Sequence, residues 1–326
     1  MIPSARAPFI LALLTVFALT AIGSAVLCGG TGCFFPTPSD DILWQLRLPR
    51  SLSAFAVGGL LALAGALMQL LLRNPLADPY VLGVSGGAAT GAMAASWLMP
   101  AAFAAYGMQL GALAGALLAT ALWCGLARRA LMALTPAMSA SPSGVRLILT
   151  GVMISAGFGA LMSLLLSLAP EGQLRGMVFW LMGDIDSGPL LWPAWLVLVA
   201  TTVWASWQAP VLNVLAHGDT TARLLGVPVR SLRARVLLVA ALATASAVAV
   251  AGAIGFVGLV VPHAMRLMLG NDQRLLLPAS VLAGGAALTL ADLLSRSIVA
   301  PVQLPVGVVT ALVGVPVFLW LLARSR

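Results

Sequence analysis

Ten stretches of about twenty apolar residues, parted by short segments rich in Pro, Gly and Arg, leave this chain few ways to fold. A helix of that length satisfies its own backbone hydrogen bonds inside a bilayer, where water cannot. No soluble domain of 326 residues could hide so much apolar surface, because 61% of the chain is hydrophobic and only 8% is charged. The predicted spans are 9–27, 51–72, 80–97, 108–126, 145–168, 190–207, 236–253, 254–269, 275–294 and 304–322. The eighth is short for a full crossing and rich in glycine. The expected class is therefore all-α: a polytopic membrane protein of about ten helices, one domain over 1–326, with no room for a separate soluble domain.

All seventeen basic residues are arginines. A P-loop needs a lysine to hold its phosphates, so the chain does not hydrolyse ATP by that route, and energy of that kind must come from a partner. With the N-terminus inside, Arg6, Arg73, Arg128, Arg129, Arg146, Arg223, Arg230, Arg233, Arg235, Arg266, Arg274, Arg324 and Arg326 fall on the cytoplasmic side, leaving Arg47, Arg50, Arg175 and Arg296 outside. Thirteen against four obeys the positive-inside rule and places both termini in the cytoplasm. The formal charge of +8 is thus read as arginine marking cytoplasmic loops, not as a nucleic-acid footprint. Arg6, the apolar run after it and Cys28 have the outline of a signal peptide, but the run is too long for a signal core and fits a first membrane helix. Cys28 and Cys33 flank a Gly-Gly-Thr-Gly turn and could pair in an oxidising compartment, whereas Cys124 within a span is read as packing.

Small residues at four-residue spacing (Gly83, Gly87 and Gly91, then Gly111 and Gly115) make flat strips on single helix faces, the pattern of close helix contact in lipid. Residues 173–182, between Gly172 and Gly183, are too few to cross and predict an external interfacial helix. In the long gap at 208–234, residues 211–216 predict a turn or two of helix stopping at Gly218, followed by a second helix over 220–225. Asp219 would be its N-cap, Arg223 would suit its last turn, and Gly226 with Pro228 would end it. Two short helices at a sharp angle, offering Leu212, Leu215, Leu224 and Leu225, form a knob for a cytoplasmic partner.

Two rival functions fit less well. The string from Gly83 to Gly87 satisfies both Gly-x-Ser-x-Gly and the Gly-x-Ser-Gly of rhomboid-type intramembrane proteases, with Ser85 as nucleophile and His263 as base, but 33 glycines make chance matches easy. A self-powered secondary transporter or channel would need ionisable groups at mid-membrane, and the only glutamate is Glu171, in an outer loop. His217 and His263 stand apart from any cluster that would hold a metal.

Five strings together resemble one family: Arg47-Leu-Pro-Arg50, Asn74-Pro-Leu-Ala77, Leu82-Gly-Val-Ser-Gly86, the run from Gly252 to His263, and Leu304-Pro-Val-Gly-Val-Val-Thr310. In order and spacing they resemble the permease subunits of type II ABC importers, the FecCD family, from about Leu46 to Leu322. The resemblance implies a bacterial inner-membrane subunit that works as a homodimer or pseudo-dimer with two cytoplasmic ATPase subunits and a periplasmic substrate-binding protein. It implies no cofactor on this chain, ATP and Mg belonging to the ATPase. The cargo would be a ferric siderophore, haem or cobalamin, and the family's base rates favour an iron complex, with cobalamin as the alternative. By resemblance, Arg47, Arg50 and Arg296 would meet glutamates of the binding protein, although Asp292, four residues before Arg296, offers it an internal partner instead. Asn74 and Leu76 would form a cytoplasmic gate. Leu215, His217, Gly218, Asp219, Ala222, Arg223, Leu224 and Gly226 match the coupling helices that seat in a cleft of the ATPase, within a segment at 211–226. Gly144 and Val145, before Arg146, depart from the Thr-Ser pair of other members, which leaves the second gate open.

Overall fold

A computed structural model describes residues 7–30, 32–33, 41–98, 104–132, 142–185 and 191–324, and each of the ten expected stretches carries a helix there. In chain order these are α1 (Ala7–Leu27), α2 (Leu48–Leu72), α3 (Val84–Leu98), α4 (Ala104–Met132), α5 (Pro142–Ser167), α7 (Leu191–Ala216), α9 (Val229–Ala251), α10 (Val257–Leu269), α11 (Gln273–Ser297) and α12 (Val306–Arg324). Two more lie outside the spans: α6 (Glu171–Leu181) and the six-residue α8 (Asp219–Leu224). Among the described residues seven helices are long and apolar enough to cross a membrane, while α3, α10 and α12 fall short of that length or hydropathy. The side chains at Gly144, Val145 and Arg146 lie outside the described residues, as does the whole of 133–141, so the second gate has no structural description.

The order of burial follows from residue size. α2, preceded by a π-helical turn at Ile42–Arg47, runs through the centre with every residue from Ser53 to Leu71 buried, whereas α5 is almost entirely unburied over 149–167. Its small residues let neighbours approach to backbone distance: a Cβ on Gly58 would lie 2.2 Å from the Gly284 carbonyl of α11, and one on Gly65 would overlap the Gly258 carbonyl of α10. Bundle helices in lipid gain little from the hydrophobic effect, so such close dispersion contact is what holds α2 to its neighbours. The predicted glycine strips meet in the same way, Gly91 against Gly111 and Gly87 against Gly115, joining α3 to α4. Gly83 does not belong to that strip. Its φ of +77° ends a 3-10 turn over Pro79–Leu82, and its α-carbon faces Ile154 of α5.

The expected limits of two spans need correction, and with them the exposure of two leucines. The sixth span does not stop at 207: α7 continues through Pro210 to Ala216, so 211–216 is the end of a long helix and not a separate short one. Leu212 and Leu215 are consequently buried in the bundle and offer nothing to a partner. The eighth helix starts at Val257 and not at 254, because the chain breaks between α9 and α10, with Gly252 at φ +67° and Phe256 at φ +69°. Bare backbone at that depth must find partners inside the protein. Tyr80 supplies two: its hydroxyl donates to the Ile254 carbonyl and accepts from the Ile254 N–H, each at 3.1 Å.

Candidate functional sites at the two ends of the bundle

The first site grows from the N-terminal end of α2 and the C-terminal end of α11. Asp292, on a buried face of α11, has no exposed surface, and it holds two guanidiniums: Arg50 Nε at 3.0 Å on Oδ1 and Arg296 Nε at 3.0 Å on Oδ2. Arg50 also donates to Gln303 at 3.3 Å and stands 3.6 Å from Asp184. Arg47 donates to the Leu27 carbonyl at 3.0 Å, and Arg296 to the Ala25 carbonyl at 3.2 Å, tying both to the end of α1. Above them Cys28 and Cys33 form a disulfide across a two-stranded ribbon, whose Gly29 lies against the Arg47 and Arg296 side chains. The three arginines named in the sequence are thus brought together, each with protein partners. Three guanidiniums against two carboxylates leave the patch positive.

Asp184 was not visible as a member of this group, since nothing near it in sequence marks it. It follows α6, whose C-terminal end is seated with almost no clearance. A Cβ on Gly252 would lie 2.0 Å from the Trp180 carbonyl, and one on Gly307 the same distance from the Met182 carbonyl. Gly307 N also donates to the Gly183 carbonyl at 3.3 Å. Both glycines sit within the strings that carry the resemblance, at Gly252–His263 and Leu304–Thr310. The α6 end, the α9–α10 break and the start of α12 therefore form one junction, and Asp184 links it to Arg50.

The second site lies at the opposite end, around α8. Gly218 at φ +121° turns the chain out of α7, and Gly226 at φ +77° closes α8, with Val227 N reaching back to the Ala222 carbonyl at 2.9 Å. α8 points Leu224 and Leu225 outward, 83% and 65% exposed, and turns Ala222 and Asp219 inward. Asp219 is not the N-cap expected from the sequence. Gly218 holds that position, and the Asp219 carboxylate instead accepts from Arg73 at 2.5 Å and Arg233 at 2.8 Å. Arg223 is near enough to act on Arg233 electrostatically. His217 is exposed and its Nδ1 lies 2.8 Å from the Asn213 carbonyl.

Beside α8, the Asn213 amide of α7 donates to Asp272 Oδ1 at 2.7 Å and accepts from Gln273 N at 2.8 Å. That hydrogen bond, joined by the Arg274 N–H and the Arg274 charge, holds the Asp272 carboxyl below its ordinary range. Asn74 and Leu76 lie at this same end. The Asn74 side chain accepts from Leu76 N at 2.9 Å and its carbonyl from Ala77 N at 3.0 Å, forming a tight exposed turn directly after Arg73. The structure brings Asn74, Leu76, Asp219 and Arg223 to one end, and Leu215 behind them is buried.

Among the described residues Ser85 and His263 are not brought together. Ser85 begins α3 and His263 lies in α10, no hydrogen bond joins them, and the His263 Nδ1 has no hydrogen-bond partner. Among the described residues no group of three His, Cys, Asp or Glu could hold a metal ion.

The chain is 40% identical over 308 residues to the vitamin B12 import system permease protein BtuC of Citrobacter koseri, and 41% identical over 307 residues to that of Salmonella paratyphi A. Each alignment covers 92% of this chain and 90% of the relative. Among solved structures, an ABC transporter assigned to the metal-chelate type, in an inward-facing conformation, matches with a TM-score of 0.85 at 30% identity, covering 97% of this chain and 99% of that one. PsaBC from Streptococcus pneumoniae shares the fold at a TM-score of 0.57 and 16% identity, over 86% of this chain. The model of the FecCD transport family matches residues 9–324, and with these relatives it places the chain in that family, as a multi-pass ABC importer permease and not an enzyme.

Proposed function

We propose that this chain is the membrane subunit of a vitamin B12 importer in a bacterial inner membrane, working as one permease domain with its coupling segment, within 211–226, presented by α8. The observation that carries the cargo is the identity of 40–41% over 92% of the chain to permeases named for vitamin B12 import. That favours cobalamin over the iron complex preferred from the sequence. Cobalamin is itself a cobalt chelate, so the metal-chelate description of the structural relative fits either cargo.

In this reading two copies enclose a central path, with the open flank of α5 available for a second copy. Two ATPase subunits, which carry the ATP and Mg, seat against α8 at the cytoplasmic end. The exposed Leu224 and Leu225 support that contact, since two bare leucines among arginines suit a protein cleft better than lipid or water. A periplasmic binding protein docks at the other end on the positive patch of Arg47, Arg50 and Arg296, where its acidic groups would exchange with the internal partners of those arginines. Closure of the ATPases on nucleotide would move α8 and rock the helices between outward and inward openings. The chain itself binds no cofactor, and both termini lie in the cytoplasm.

The test is uptake of radiolabelled cyanocobalamin into vesicles holding the permease, its ATPase and its binding protein. Uptake should require ATP on the ATPase side and should not be reduced by an excess of ferric siderophore. Uptake of labelled ferric siderophore with none of cyanocobalamin would overturn the cobalamin reading and leave the family standing.

A further inference from the structure

We propose that Asp219 is a positioning residue that clasps α8 to the Asn74 turn through Arg73, so that a push on α8 is carried straight to Leu76. The inference rests on the reading of α8 as the ATPase contact, and it concerns the inward face of that helix, which no partner can reach.

Asp219 opens α8 but caps nothing there, and its carboxylate is 3% exposed. One oxygen takes both Arg73 and Arg233. Breaking a buried pair of this kind leaves uncompensated charge, so the three groups stay together while the protein is folded. Arg73 is placed unusually for a helix end. It closes α2 in the left-handed region, at φ +48°, and its own N–H returns to the Gln69 and Leu70 carbonyls. Asn74 N also bonds to Gln69 O at 3.2 Å, so Arg73 and the Asn74 turn share one anchor on α2 and move as a unit.

α8 has glycine joints on both sides, Gly218 and Gly226. Between them it can shift as a short rigid piece whose ties to the bundle include the buried Ala222 and the Asp219 pair. Arg233 carries the same displacement to the foot of α9. Without the carboxylate, Arg73, Arg223 and Arg233 would repel one another, and the Asn74 turn would part from α8.

The test uses the assembled complex of permease and ATPase in vesicles, with Leu76→Cys as reporter in a Cys124→Ser background. The rate of maleimide labelling at position 76 is read with and without ATP. In the otherwise unaltered chain the rate should change at least about threefold between the two states. Arg73→Gln should bring that change below about 1.5-fold while ATP hydrolysis stays within about twofold, because the Arg73 guanidinium is turned onto Asp219 inside the permease. Asp219→Asn should abolish the response as well, and the double variant should be no worse than either single one, as expected for partners in one pair. Arg73→Lys, which keeps the charge, should restore at least about half of the response.

An undiminished response in Arg73→Gln overturns the clasp. So does a double variant with an effect equal to the sum of the two, since the residues would then act separately. Failure of the parent chain to bind its ATPase at all would sink the reading of α8 instead. If Arg73→Gln does not accumulate in the membrane, Arg73→Lys and Asp219→Asn decide alone: response in the first and none in the second supports the clasp, and equal responses refute it.

Discussion

The Asp272 carboxylate accepts from the Arg274 N–H at 3.0 Å, capping α11, while the same oxygen takes the Asn213 amide of α7. Both bonds favour the charged form, so its folded pKa lies below the ordinary carboxylate value. Linkage then fixes the sign: a depressed pKa adds stability that is present above the unfolded pKa and is lost as pH falls through the folded one. Asn213→Ala should lower the thermal midpoint of the purified permease at pH 7, by a change worth at most about 1 kcal/mol because solvent screens the group. The gap to the parent protein should shrink as pH falls below about 4. A gap that stays constant across that range would show that Asn213 acts through packing and not through the Asp272 charge. Asp272 could be read as a cap, yet the partner that lowers its pKa is 59 residues away. Asp219 shows the same limit more sharply. Its sequence context is that of an N-cap, and only the folded chain shows that Arg73, 146 residues earlier, takes the carboxylate instead. Local patterns report what a side chain could do for its own helix, and a buried carboxylate is claimed by whichever cation the fold delivers.

Helix α6 was legible as an element because 173–182 is apolar, short and bounded by glycine, and the structure places a helix at Glu171–Leu181. What fixes it was not legible, since the fixing contacts come from Gly252 and Gly307, far along the chain. A methyl on Gly307 would overlap the Met182 carbonyl at 2.0 Å, and that carbonyl is backbone, which cannot swing aside. Gly307→Ala should therefore cost about 1–3 kcal/mol and displace the end of α6. Gly176→Ala, on α6 itself with nothing within 4 Å of the added carbon, serves as control and should leave the thermal midpoint no lower, or raise it slightly as alanine favours the helix. Equal midpoints for the two variants would disprove the junction. The strips at Gly87, Gly91, Gly111 and Gly115 were readable because four-residue spacing is a property of one helix and close contact is its usual use. The length of α7 is not legible in the sequence because Pro210 and the polar residues around it mimic a helix end. Proline costs one hydrogen bond and need not stop a helix whose neighbours hold it.

The number of helices and their order came from hydropathy, but the way they are set in a membrane rests on thirteen arginines against four. Helix ends are related by geometry alone: α2 places Arg50 at one end of the bundle and Arg73 at the other, so a single observation on either end orients the whole molecule. Each misplaced arginine would have to cross the apolar layer during insertion, where an arginine at the helix centre costs about 2.5–3.5 kcal/mol. Nine arginines more on one side than the other make the reverse arrangement unfavourable at almost every loop. Cysteines placed at Leu224 and at Gln303, both exposed and at opposite ends, should therefore differ in whole cells. With Cys124 replaced by serine, a membrane-impermeant maleimide admitted only to the periplasm should label Gln303→Cys and leave Leu224→Cys unreacted until the membrane is broken. The opposite pattern would turn the molecule over. It would put α8 outside, beyond reach of any ATPase, and the Arg50 end inside, away from any delivered substrate, so the directions of energy and cargo through this permease stand or fall with that one labelling experiment.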